Sequence, residues 1–110
     1  MADDGIAALQ ERLRDFAARR DWEQYHTPKN LAMALAAEVG ELLEHFQWLT
    51  AEESLAIRDD PEAIEAVTDE IADVMIYLIR LGDVLNVDLL RSAASKVDRN
   101  QRRFPEVKRQ

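Results

Sequence analysis

Two pairs of acids in this sequence share one spacing: Glu38 with Glu41, and Glu70 with Asp73. On a helix that interval of three residues puts both members of a pair on one face. At about 100° per residue, Glu38 falls within about 20–60° of Leu31, Leu35, Leu42 and Leu49, in the middle of an apolar stripe. Glu70 is set in the same way among Ala63, Val67, Val74 and Leu81. Carboxylates gathered in such places resist desolvation and repel one another. A divalent cation resolves the conflict. Oxygen-only ligands select a hard ion, Mg²⁺ with Mn²⁺ as its substitute, and four acids can share one ion or hold two. The competing reading is a solvated or inter-subunit salt-bridged face, the ordinary fate of acids such as Glu52, Glu62, Glu65 and Asp69. A di-iron bundle would need Glu-x-x-His on two helices. Neither is present: Glu41 to His45 is four residues, Glu44 adjoins His45, and the helix of Glu70 carries no His. His45 lies near Glu38 and Glu41 on the wheel, as an outer support of the site or a simply packed side chain.

Three further groups carry possible chemistry. Lys96, Asn100 and Arg103 form one helical stripe able to meet phosphate oxygens. Basic residues near a helix C-terminus also complement the helix dipole, which is the plainer account. Trp22 and Trp48 close helix ends, where aromatic faces either pack or stack on a base at roughly 1–3 kcal/mol each. Tyr77, one turn beyond Asp73, offers a hydroxyl near the acids or satisfies a buried one.

The elements that must position these groups are all helical. Ala, Leu, Glu, Asp and Arg dominate, Gly and Pro number only 3 each, and strand signals are absent. A first helix is expected from about Asp4 to Arg20. A second opens at Thr27-Pro28 and runs to about Trp48, and a short piece opens at Thr50 with Glu53 completing a capping box. A third begins at Asp60-Pro61 and runs to about Leu85; a fourth opens at Asn86 or Asp88 and stops before Phe104-Pro105. The second and third are apolar almost all round: Met33, Val39 and Leu43, and likewise Ile76 and Ile79, point away from the stripes just described. A lone four-helix chain cannot cover both sides, so an all-α bundle completed by oligomerisation is expected. The 110 residues read as a single domain, 1–110, with no repeat or linker. A net charge of -8, from 14 basic and 22 acidic residues, argues against an open nucleic-acid-binding face. No cysteine means no disulfide and no thiolate zinc site. The acidic start is unlike a targeting signal and no apolar run suits a membrane span, so a cytoplasmic protein is expected.

The motif Glu38-Val39-Gly40-Glu41-Leu42-Leu43-Glu44, followed by Glu70-Ile71-Ala72-Asp73, resembles the signature of the all-α MazG-like nucleoside triphosphate pyrophosphohydrolases. The flanks Arg20 to His26, Pro28 to Leu31, Phe46-Gln47-Trp48 and Lys96 to Pro105 are similar to the dCTP pyrophosphatase branch, over about residues 9 to 105. That resemblance implies hydrolysis of dCTP or related, modified dNTPs to the monophosphate and pyrophosphate. It implies Mg²⁺ on Glu38, Glu41, Glu70 and Asp73, and a tetramer built as a dimer of dimers. It also implies nucleotide contacts from Trp22, Glu23, Gln24, Tyr25, His26, Trp48 and Tyr77. One position departs: the vertebrate members of the branch carry His three residues before the Phe matched by Phe16, and this chain has Leu13. Such chemistry needs charge neutralisation on phosphate oxygens and an activated water. Glu38 or Glu41 is the candidate to take the water proton. A base lying between Trp22 and Trp48, its edge read by Gln24 and His26, completes the expected site. A broad house-cleaning NTP pyrophosphatase and a non-catalytic helical oligomerisation module are the alternatives, separated by metal-dependent pyrophosphate release.

Overall fold

The computed structural model describes residues 5–108, so residues 1–4, including the expected start of the first helix at Asp4, lie outside it. Five α-helices follow one another: α1 (Gly5–Arg19), α2 (Pro28–Glu44), the short α3 (Ala51–Ala56), α4 (Pro61–Val84) and α5 (Leu89–Arg103). Single 3₁₀ turns at Glu23–Tyr25 and Ile57–Asp59 lead into α2 and α4. There is no strand among the described residues.

Local chemistry sets most helix starts. Thr27 Oγ1 accepts from the Asn30 amide at 3.2 Å ahead of Pro28, and Asp60 Oδ1 accepts from Glu62 and Ala63 ahead of Pro61. Thr50 and Glu53 form the reciprocal capping box at 3.1 and 2.8 Å. Asp88 caps α5 through the Arg91 amide, which decides between the two expected starts. Asn86 is unavailable for that role because it ends α4. It sits at φ 58°, with Asn86 N–H bonded to Asp83 O and Val87 N–H bonded to Gly82 O. Those two bonds close a Schellman motif, in which Asn tolerates the left-handed conformation. The end of α1 repeats it: Asp21 sits at φ 55°, and the Trp22 amide reaches back to Ala17 O at 2.9 Å. That reversal lays Trp22 across Phe16, ring centroids 5.6 Å apart and edge-on.

One boundary differs from expectation. The second helix stops at Glu44, not Trp48. Beyond it the amides of His45, Phe46 and Leu49 bond three residues back, so the last turn tightens and turns the chain toward the Thr50 cap.

Helices α2 and α4 pack along their length, with α1 against α4. Their seam holds the expected stripes: Leu31 and Val67 are buried, and Leu35, Leu42, Val74 and Leu81 half-buried. Ile79, expected to point away, is already buried within the one chain on a helix that α1 also covers. The opposite flanks stay open, with Met33, Val39, Leu43, Ile71, Met75 and Leu78 all exposed. Helix α5 extends from this pair and buries no residue of its own. It meets α4 most closely where Gly82 accepts Leu89: a Cβ at Gly82 would lie 2.7 Å from Leu89 Cδ2. The chain is accordingly extended, with a radius of gyration of 17.3 Å, against about 13 Å for a compact chain of this length. No described helix is long and apolar enough to cross a membrane.

The left-handed cap gives a direct stability expectation. Replacing Asn86 by Val should cost about 1–2 kcal/mol in urea unfolding, because a β-branched residue is strained there, whereas Asn86→Gly should cost nothing.

Candidate functional site

The seam between α2 and α4 is interrupted by carboxylates. Glu38 and Glu41 from α2 and Glu70 from α4 bring one oxygen each within 4.8 Å of one another. Glu38 and Glu70 are half-buried and Glu41 is exposed. The three-residue spacing explains the pair on α2, and the apolar neighbours that pull the seam together draw Glu38 and Glu70 inward with them. Glu70 Oε2 is buried with no hydrogen-bond partner. A buried polar atom without a partner is costly and rare in folded chains. It is also what a cation site needs: an oxygen held out of water with its lone pairs free. Three carboxylates facing one another suit a hard divalent ion in their chemistry.

Their electrostatics tell the same story. Burial, and then repulsion from Glu41, pushes the Glu38 carboxyl up to about 7. Glu70 is raised by the same two causes in the same order. The fourth acid, Asp73, does not join the three oxygens. It is exposed, one turn further along α4, and lines a neighbouring cavity instead. His45 caps the end of α2 and is also outside the cluster.

That cavity, of about 420 Å³, is walled by α1 residues Leu13 and Phe16, by Trp22 and His26 of the connection, and by Asp73, Tyr77 and Arg80 of α4. Four of the sequence candidates therefore meet in it: Trp22, His26 and Tyr77, expected to contact the nucleotide, and Asp73, expected to hold the ion. Trp22 also lies against His26, with ring centroids 6.2 Å apart. The residues between them behave differently. Glu23, Gln24 and Tyr25 are exposed, and the Gln24 amide is spent on the Asp21 carbonyl and carboxylate at 3.1 and 3.0 Å. Gln24 thus stabilises the left-handed corner where a reader of the base edge was expected.

Other candidates lie apart from both features. Trp48 is 85% exposed beyond the C-terminal end of α2, whereas Trp22 precedes its N-terminal end. Seventeen helical residues separate those ends by about 25 Å, so one chain does not bring the two tryptophans together. Lys96, Asn100 and Arg103 are carried by α5 and join neither the described acid cluster nor the cavity.

Sequence reasoning missed Arg80. It is 6% exposed, and its Nε donates to His26 Nδ1 at 3.0 Å while Nη1 donates to Asp83 Oδ2 at 3.2 Å. Arg14 of α1 clamps the same Asp83 with bonds of 2.9 and 2.7 Å. Two cations on one carboxylate hold Asp83 below the usual carboxylate range, the Arg14 hydrogen bond foremost. The available signal was weak: Asp83 follows Arg80 by three residues, a spacing shared with many solvated pairs.

Comparisons with known proteins agree on the family. A model of the MazG-like family matches residues 33–110. The dCTP pyrophosphatase 1 proteins of Homo sapiens and Rattus norvegicus are 48% and 47% identical to this chain over 91 residues. The match takes in 83% of this chain and 54% of either relative, so the chain spans about half their length. A crystal structure of a pyrophosphatase from Archaeoglobus fulgidus superposes with a TM-score of 0.81 at 40% identity, covering 91% of this chain and 92% of that one.

The raised carboxyls set a pH expectation for metal-free protein. A folded pKa near 7 against an ordinary 4.5 means that the folded state binds more protons than the unfolded state between those values. The Glu38 contribution to stability therefore falls as pH rises through that window. Thermal unfolding in chelator should show the melting temperature of Glu38→Gln gaining on that of the unsubstituted chain from pH 5 to pH 7.5. A constant difference would mean that Glu38 ionises freely.

Proposed function

The chain belongs to the MazG-like family, and from that premise we propose that it is a divalent-cation-dependent nucleotide pyrophosphohydrolase. Its proposed reaction converts dCTP or related, modified dNTPs to the monophosphate and pyrophosphate. The observation that carries this is the trio of carboxylate oxygens within 4.8 Å, one of its carboxylates keeping a buried oxygen without a partner, beside an aromatic cavity. A catalytic hydrolase needs these two adjoining features: a place for polyphosphate charge and a place for a base.

Glu38, Glu41 and Glu70 would hold the ion, Mg²⁺ in this reading, with Asp73 approaching from the cavity side. When bound, such an ion supplies charge neutralisation at phosphate oxygens and lowers the pKa of bound water. The chain's own residues do the rest. Glu38 or Glu41 accepts the proton of the attacking water. Trp22 offers its face to the base, and Leu13, Phe16 and Tyr77 exclude water around it. The Leu13 wall has no hydrogen-bonding group, which favours looser base choice and supports the second reading, a broad house-cleaning NTP pyrophosphatase.

Assembly completes this proposal. The exposed apolar flanks of α2 and α4, and a helix α5 that buries nothing of its own, are faces that a second copy of the chain would cover. A tetramer built as a dimer of dimers would let Trp48, Lys96, Asn100 and Arg103 reach a site on a neighbouring copy.

Two measurements test the reading. Glu70→Gln keeps the shape of the side chain, so helical content by circular dichroism should persist while Mg²⁺-dependent pyrophosphate release from dCTP falls by orders of magnitude; undiminished release would reject the site. Light scattering at micromolar concentration should report an oligomer, and a stable monomer would reject the assembly.

A further inference from the structure

Arg80 is the one buried charged side chain among the described residues, and nothing in the proposed hydrolysis requires it. Its contacts nevertheless constrain His26, which lines the cavity proposed for the base. A guanidinium carries only N–H donors and does not deprotonate in proteins. The ring nitrogen of His26 that receives Arg80 Nε at 3.0 Å must therefore present a lone pair. The imidazole is then neutral, and its single proton resides on Nε2. Burial and the adjacent Arg80 charge both hold the His26 pKa below its ordinary value, in that order, while Glu23 on the same turn opposes them. From α4 the facing groups are Arg80 and, on the same cavity wall, Asp73, and from α1 Arg12 lines the cavity as a further cation.

The guanidinium is itself held in place. Asp83 takes Arg80 Nη1 on the oxygen that also receives Arg14 Nε, so the chain of contacts runs from α1 through α4 to the connection before α2. His26 and Arg80 line the cavity together, and His26 Nε2 has no protein partner among the described residues.

We propose that Arg80 is a positioning residue that fixes His26 as the neutral Nε2–H tautomer, so that His26 offers the cavity a directed N–H donor for an acceptor on the base edge. The acceptor is a carbonyl oxygen or an unprotonated ring nitrogen, the groups through which a pyrimidine can be recognised. This rests on the reading of the cavity as the base pocket. Stacking on Trp22 holds any base, whereas a directed donor discriminates, because a base without the acceptor leaves the donor unpaired.

The tautomer is measurable without substrate. ¹⁵N-detected histidine spectra of the full chain at pH 7.5 should show His26 with a protonated Nε2 and a lone-pair Nδ1. A protonated Nδ1, or an imidazolium, overturns the proposal. In kinetics with Mg²⁺ and dCTP, Arg80→Met and His26→Phe should each raise KM about tenfold, as loss of one buried hydrogen bond implies, with kcat changed less than about twofold. A purely structural role for Arg80 would leave the tautomer of Arg80→Met as it is in the unsubstituted chain, and that result also overturns it. Trp22→Ala separates the two levels of the argument. If it alone raises KM, the cavity binds the base and His26 is not the donor; if none of the three does, the base-pocket reading falls and takes this one with it. Should Arg80→Met fail to fold, the tautomer of the unsubstituted chain and the KM of His26→Phe still decide the matter.

Discussion

The packing of α2 on α4 places two incompatible demands on one seam. Leu31, Leu35, Leu42, Val67, Val74 and Leu81 bring the helices together by excluding water, and the same exclusion raises the cost of every charge left among them. Glu38, Glu41 and Glu70 cannot all ionise there without compensation. Burial and repulsion from Glu41 push the Glu38 carboxyl up to about 7, and one oxygen of Glu70 lies buried at the same place. A sequence selected for stability alone would replace these acids with leucines. Acids set within this seam are the physical signature that points to a functional cluster.

Beside the seam, the cavity is built by different means. The Schellman turn at Asp21 folds Trp22 back over Phe16, and Asn30 fixes the following 3₁₀ turn by donating its side-chain amide to Tyr25 O at 3.0 Å. Arg80, balanced by Asp83 and Arg14, then ties that turn to α4. The acids and the aromatic wall thus share α4 as their common reference. Displacing that helix would disturb both, whereas the exposed Tyr25 side chain on the outer face of the connection lines neither.

What could be read from the sequence was what is decided locally or by a single period. Thr27-Pro28, Thr50 with Glu53, Asp60-Pro61 and Asp88 each satisfy amides within three residues, so their roles follow from order alone. The acids stood out because the 3.6-residue period places them within apolar stripes. Arg80 was illegible for the complementary reason: its worth comes from His26, 54 residues earlier, and no period relates the two. Gln24 has a role that its type did not announce: its neighbour Asp21, at positive φ at the end of α1, takes its side-chain amide. The end of α2 eluded the pattern because the apolar periodicity continues through Phe46 and Leu49, while the backbone has already tightened toward the next cap.

The close approach of Gly82 to Leu89 has a mechanical consequence. Helix α5 is 15 residues long, about 22 Å, and is held to α4 mainly at this end, so it acts as a lever pivoted on that contact. A rotation of about 10° at the pivot would carry the far end of so long an arm through about 4 Å. Lys96, Asn100 and Arg103 ride outward along that arm, the last of them at its tip. A methyl group added at Gly82 would meet the Leu89 side chain first, and only the part of the clash that this leucine could not absorb by moving would turn the arm and re-aim all three at once, the tip most.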